Sequence, residues 1–228
     1  MKPFTLVYGN ELVPSELPDL PIQEYAADEK LLGELITATT FLPRVQLMGG
    51  TTELAKQGLI GPGRYALIRS KDSFDDLGQQ VVCLPLSMRF KAMRIPGDGN
   101  VFSYHNPMTE EFKKVMADSE LENSGCMYGL EFLAWFPEQR LFATVYLNSK
   151  TNRRQAPAFK ALMQEKKGAT LKVEFIKKGK HSWHGMVITQ CSTPFELPPL
   201  ENILLEAERF AKPKDSTVEK ADVASRDR

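Results

Sequence analysis

Two apolar runs, Leu130 to Phe136 and Arg140 to Asn148, are separated only by Pro137-Glu138-Gln139. A link of three residues is a hairpin connection, and it can join antiparallel strands but not parallel ones. The arrangement recurs where Thr170 to Lys177 and Ser182 to Thr189 are joined across Lys178-Gly179-Lys180. A third stretch, Val81 to Ile95, alternates with the period of a strand. Val82, Leu84, Leu86, Met88 and Phe90 fall on one side, and Cys83, Pro85, Ser87, Arg89 and Lys91 on the other. Pro85 has no amide proton, so an edge position or a bulge is expected there. Arg64 to Arg69 reads as a further strand after the Gly61-Pro62-Gly63 turn.

Helical spacing is confined to a few segments: about Asp28 to Ala38, a short one capped by Thr51 or Thr52 and running to about Gln57, Thr109 to Leu121, Pro157 to Lys166, and residues 200–210. They do not alternate regularly with the strands, which argues against a βαβ parallel sheet. The pattern predicts an α+β fold, an antiparallel sheet or partial barrel with a few flanking helices. Residues 1–210 are expected to form one such domain. It would begin with an extended arm over 1–27, where Pro3, Pro14, Pro18 and Pro21 oppose helix. Residues 211–228, poor in apolar side chains and mixed in charge, read as a disordered tail.

The net charge of the 228 residues is zero, but it is unevenly distributed. From Arg140 to Lys180 eleven cations face only Glu165 and Glu174, a local net of +9, whereas the first forty residues carry −5. Interleaved with those cations are Phe142, Tyr146, Phe159 and Phe175, with Trp183 just beyond. Clustered cations with flat rings suit a polyanion that also offers faces for stacking, which is nucleic acid. A solvated basic face on an ordinary domain would look the same in sequence. Cys83, Cys126 and Cys191 are odd in number and far apart, which argues for a reducing compartment rather than a disulfide framework. No stretch approaches the roughly 20 apolar residues of a membrane span, and no secretion signal is read at the N-terminus.

Within the basic block, Ser149-Lys150-Thr151-Asn152-Arg153-Arg154 gathers three cations and three neutral hydrogen-bonding groups between a strand and a helix. Such groups suit phosphate and sugar contacts. On the preceding strand Arg140, Phe142, Thr144, Tyr146 and Asn148 share one face, a stacking platform if exposed and a covered central strand if not. Lys172 lies on the second hairpin, and Lys177, Lys178 and Lys180 crowd its turn. Arg89 and Lys91, with Arg94, could extend the same path or guard a sheet edge. The expected DNA-binding set is therefore Arg89, Lys91, Arg140, Phe142, Tyr146, Lys150, Arg153, Arg154, Lys172, Lys177, Lys178 and Lys180, converging into one groove. His181 and His184 are three apart without cysteines or carboxylates at zinc spacing, so no metal or other cofactor is expected. No nucleophile or metalloprotease motif is present, and general acid–base residues are scarce, so no catalysis is expected.

Four strings add a resemblance: Leu42-Pro43-Arg44-Val45-Gln46-Leu47, Asn123-Ser124-Gly125-Cys126-Met127-Tyr128-Gly129, Ser149 to Arg154, and Cys191-Ser192-Thr193-Pro194-Phe195. Over roughly residues 40–200 the chain resembles the Drc-like family of single-stranded DNA-binding RNA polymerase cofactors of lytic podophages. The resemblance implies a fold other than the standard OB-fold, single-stranded DNA and a phage RNA polymerase as partners, and the infected bacterial cytoplasm as location. It assigns no DNA-contacting residue. The resulting expectation is a non-enzymatic, largely sequence-independent single-stranded DNA binder acting in phage transcription and open to a role in replication. It would be a homo-oligomer if the N-terminal arm exchanges between protomers. The alternatives are a protein–protein adaptor to a polymerase and a nuclease.

Overall fold

A computed structural model describes residues 5–6, 42–70, 72–96, 100–121, 123–211 and 219–220. The helix expected over Asp28 to Ala38 lies outside these residues, as does nearly all of the arm over 1–27 and most of the tail. The strands are β1 (Thr5–Leu6), β2 (Arg44–Leu47), β3 (Tyr65–Ile68), β4 (Phe74–Gly78), β5 (Gln80–Arg94), β6 (Asn100–Tyr104), β7 (Cys126–Phe136), β8 (Leu141–Leu147), β9 (Ala169–Lys178), β10 (His181–Gln190), β11 (Phe195–Glu196) and β12 (Glu219–Lys220). The helices are α1 (Glu53–Lys56), α2 (Glu110–Asp118), α3 (Lys150–Arg153), α4 (Ala156–Gln164) and α5 (Leu200–Ala211).

The main sheet runs β10-β9-β5-β7-β8-β2-β3-β4, with β6 added to β5 and β12 to β6; β1 pairs β11 separately. All ladders are antiparallel except β2 with β8. The fold is thus α+β on a large, open, mostly antiparallel sheet. The sheet curls without closing: the Tyr65 hydroxyl on β3 donates to the Lys172 carbonyl on β9 at 3.2 Å, although four strands separate the two in the sheet order.

β5 is the longest strand and divides its partners. Residues Gln80–Cys83 pair with β9, and Leu84–Arg94 pair with β7. Near the start of the β7 ladder the register shifts between Pro85 and Ser87, the bulge expected of a proline that cannot donate to a ladder. Val81, Cys83, Phe132, Ala134, Phe136, Val145, Leu171 and Ile188 line the inner face. Phe159 of α4 fills this core, its ring 4.5 Å from that of Phe132. α2 covers the other end of β5 and β7, burying Phe112 and Val115 beside Ala92 and Cys126. Thr109 caps α2, accepting from the Phe112 amide at 3.3 Å. Gly129 is required where β7 meets β8: a Cβ there would collide with the Leu147 carbonyl.

Candidate nucleic-acid interface

The expected cations separate into three environments. Arg89 and Lys91 lie on the face of β5 that also carries Glu131, which stands opposite Arg89 on β7. Arg89 Nη2 is 2.6 Å and Lys91 Nζ 2.7 Å from the carboxylate, which is 3% exposed. Burial alone would raise the Glu131 pKa; Lys91 and Arg89 outweigh it and hold the carboxyl below its ordinary value. Arg89 also donates to the Phe210 carbonyl at 2.6 Å and lies 4.2 Å from the centre of that ring. It therefore fastens the C-terminal turn of α5, where carbonyls lack helical partners. Next to this cluster His105 Nδ1 is 3.1 Å from the Phe90 carbonyl. Burial, then the Arg89 charge, push its pKa down to about 4, so the ring is neutral at pH 7 and donates through Nδ1–H.

Tyr146 belongs to the same buried group. Its hydroxyl donates to the Lys91 carbonyl at 2.9 Å, and burial followed by the Glu131 charge raises its pKa. Phe142 packs on Trp135 at 5.0 Å between centroids. The two rings line a groove of about 750 Å³ with Phe195, Pro194, Pro198 and the exposed Arg140. Phe142 and Tyr146 thus lie on a central strand beside β7, Phe142 at this groove and Tyr146 in the buried cluster.

Within the Ser149–Arg154 stretch Lys150–Arg153 fold as α3, capped by Ser149, which accepts from the Asn152 amide at 3.1 Å. Arg153 is turned inward. It lies 4.1 Å from the Tyr128 ring centre and donates to the Tyr128 and Asn148 carbonyls at 3.1 and 3.0 Å. Its third partner is Glu120, which Lys150 also reaches, at 2.7 Å. The hydrogen bond from Lys150 is the main cause of the lowered Glu120 pKa. Arg154 is exposed.

The β9–β10 hairpin is the third environment. Leu171, Val173, Met186 and Ile188 hold its base in the core. Beyond them Phe175 is 61% and Trp183 36% exposed. Trp183 pairs with Ile176 and Phe175 with His184, so the two rings stand on opposite faces. The arm is pinned on both. The His184 ring rests against Gly63, where φ is +76° and an added Cβ would come within 2.6 Å of it. On the other face Trp183 Nε1 donates to Thr151 Oγ1 at 3.1 Å. Along the free edge of β10, Asn152 Oδ1 and Gln155 Oε1 accept from the Met186 and Ile188 amides at 3.1 and 3.2 Å. The end of α3 and the N-cap of α4 therefore serve as the missing neighbour strand.

Lys172, Lys177, Lys178 and Lys180 on this arm are exposed, and with Arg154 they make no ion pair with a described residue. The one acid among them is the exposed Glu174. Of the twelve expected residues, five (Arg154 and these four lysines) gather with Lys150 around a pinned hairpin. Arg89, Lys91, Tyr146 and Arg153 are engaged internally, and Arg140 with Phe142 lies at a separate groove. The single groove expected from the sequence is therefore not formed by this set. Trp183 and Thr151 were not in it, although a tryptophan three residues beyond a lysine-rich turn was a signal in the sequence.

Comparison with protein-family models, with curated proteins and with solved structures gave no match. Among the described residues no three His, Cys, Asp or Glu side chains are grouped as a metal would need. The three cysteines are free and buried. No helix among the described residues is long and apolar enough to cross a membrane.

Proposed function

We propose that the β9–β10 arm together with α3 binds single-stranded DNA, largely without sequence preference, and that the protein acts as a non-enzymatic cofactor in phage transcription. The observation that carries this reading is the pinned hairpin, an arm with an exposed tryptophan and four exposed lysines, with Arg154 beside it, none of them in an ion pair with a described residue. Free cations neutralise phosphates, and an exposed ring accepts any base, since every base has a π-face. The resemblance to polymerase cofactors supports the assignment to transcription.

Anisotropy of a labelled oligothymidylate, measured at several salt concentrations beside a duplex of equal length, tests the proposal. Five neutralised phosphates correspond to a log–log salt slope of roughly −3.5 for a single strand. Equal affinity for duplex, or a slope near zero, would overturn it.

A second reading, a protein adaptor, draws on a different region. Phe90, Met108, Met116 and Leu121 are exposed apolar residues gathered around α2. Methionine-rich apolar surfaces adapt readily to protein partners. Binding to a polymerase that persists at high salt after nuclease treatment would favour this reading, and loss of that binding would remove it.

A further inference from the structure

Resting on the reading of the arm as a single-strand site, we infer that Trp183 is the ring on which an unpaired base stacks, and that Thr151 is the positioning residue that sets its plane. The two exposed rings of the arm are not equivalent. Phe175 shares its face with His184, 5.3 Å away between centroids, and that face is turned to the Gly63 turn. Trp183 shares its face with Lys172, Glu174 and Lys178, and its hydrogen bond to Thr151 brings α3 to the same side.

Gly185 makes this contact possible. A Cβ there would lie 2.7 Å from Ile176 Cδ1 and 2.9 Å from Thr151 Cγ2, so a larger residue would force both side chains to shift and disturb the approach of Thr151 to the hairpin. The hydrogen bond to Thr151 has two consequences. It fixes the indole in one orientation, so little rotamer freedom is lost on stacking. It also uses the only polar hydrogen of the ring, leaving the π-face as the ring's means of contact. A ring that cannot read base edges stacks on any base, which gives tolerance of sequence together with preference for unpaired strands.

The test uses the full chain labelled with fluorotryptophan, which carries two fluorine signals, for Trp135 and Trp183. Trp183→Phe assigns them. On addition of oligothymidylate the Trp183 signal is expected to shift with the same midpoint as the anisotropy change, while that of Trp135, 8% exposed, stays in place. Trp183→Ala should weaken binding roughly 5- to 150-fold, the range for loss of one stacked base, and Trp183→Phe much less. Thr151→Val should reduce the fluorine shift, and Thr151→Ser should restore it, an effect that a purely structural role for Thr151 would not produce. If oligothymidylate binds and the lysines matter, but the Trp183 signal does not move, this inference is overturned and the arm remains the site. If Trp183→Ala and alanine substitution of the arm lysines both leave affinity unchanged, the reading of the arm itself fails. Should Trp183→Ala lower thermal stability, the fluorine shift of the unsubstituted chain decides the question alone.

Discussion

Two clusters of cations, alike in sequence, have opposite fates. Arg89 and Lys91 converge on Glu131 beneath α5, where their charge is satisfied and largely withdrawn from water. Lys172, Lys177, Lys178 and Lys180 stand on an arm whose one nearby acid, Glu174, is itself exposed. The first cluster holds the fold together, and the second leaves its charge available to a ligand. A single buried carboxylate makes the difference. Inside a sheet it draws the cations inward, because an ion in low dielectric is stabilised only by a partner at contact distance.

Removing that carboxylate is the most direct way to break the contrast. Glu131→Ala leaves two partly buried cations without their counter-ion and should destabilise the protein by about 3–5 kcal/mol in a denaturant titration. If the loss were below about 1 kcal/mol, Arg89 and Lys91 would be as free as the arm lysines, and the distinction between the two regions would collapse.

Acid should act on the buried cluster in two windows. His105 has a folded pKa of about 4 against an ordinary 6.5, so as pH falls from 6.5 to 4 the unfolded chain gains a proton that the folded one does not. Stability should decline across that range by roughly 1–3 kcal/mol. His105→Gln, which keeps a donor for the Phe90 carbonyl but does not titrate, should remove this part of the slope. Glu131 has a lowered folded pKa, so its contribution is complete above the ordinary carboxylate value of 4.5 and is lost as pH falls through the folded one. Stability that stays flat from pH 6.5 down to 4.5 would contradict the His105 assignment.

Much of the frame was legible in the chain. The two hairpins follow from short links between apolar runs, the β5 bulge from Pro85, and the start of α2 from Thr109. Other elements carried weaker signals. β4 contains Asp75 and Asp76, residues depleted in strands, and they persist there because Arg69 and Arg64 pair with them at 2.7 and 2.6 Å. The parallel contact of β2 with β8 joins segments about a hundred residues apart, and Glu219–Lys220 pairs with β6 from within the expected tail. The site was legible as charge density but not as charge pairing. Arg89 meets Glu131 only through the β5–β7 register, 42 residues apart in sequence. The visible hint was Glu131 itself, a lone acid in the apolar run from Leu130 to Phe136.

The two regions also differ in how they should answer salt. Alanine at Lys172, Lys177, Lys178 and Lys180 together should flatten the salt slope for single-stranded DNA by roughly 2.8, with each substitution changing stability by no more than about 0.5 kcal/mol. An unchanged slope would move the phosphate contacts off the arm. The same chemical change made singly in each region gives the finest comparison. Lys91→Ala removes one of the two cations on a buried carboxylate, and hydrogen bonds to charged groups contribute about 1.5–3 kcal/mol, so it should register in the melt and leave the salt slope alone. Lys178→Ala should do the reverse: no stability change beyond about 0.5 kcal/mol, and a slope shallower by about 0.7, the share of one phosphate. If Lys178→Ala destabilised the fold as much as Lys91→Ala, the arm lysine would be a structural residue after all, and an exposed cation on a pinned hairpin would no longer imply an available one.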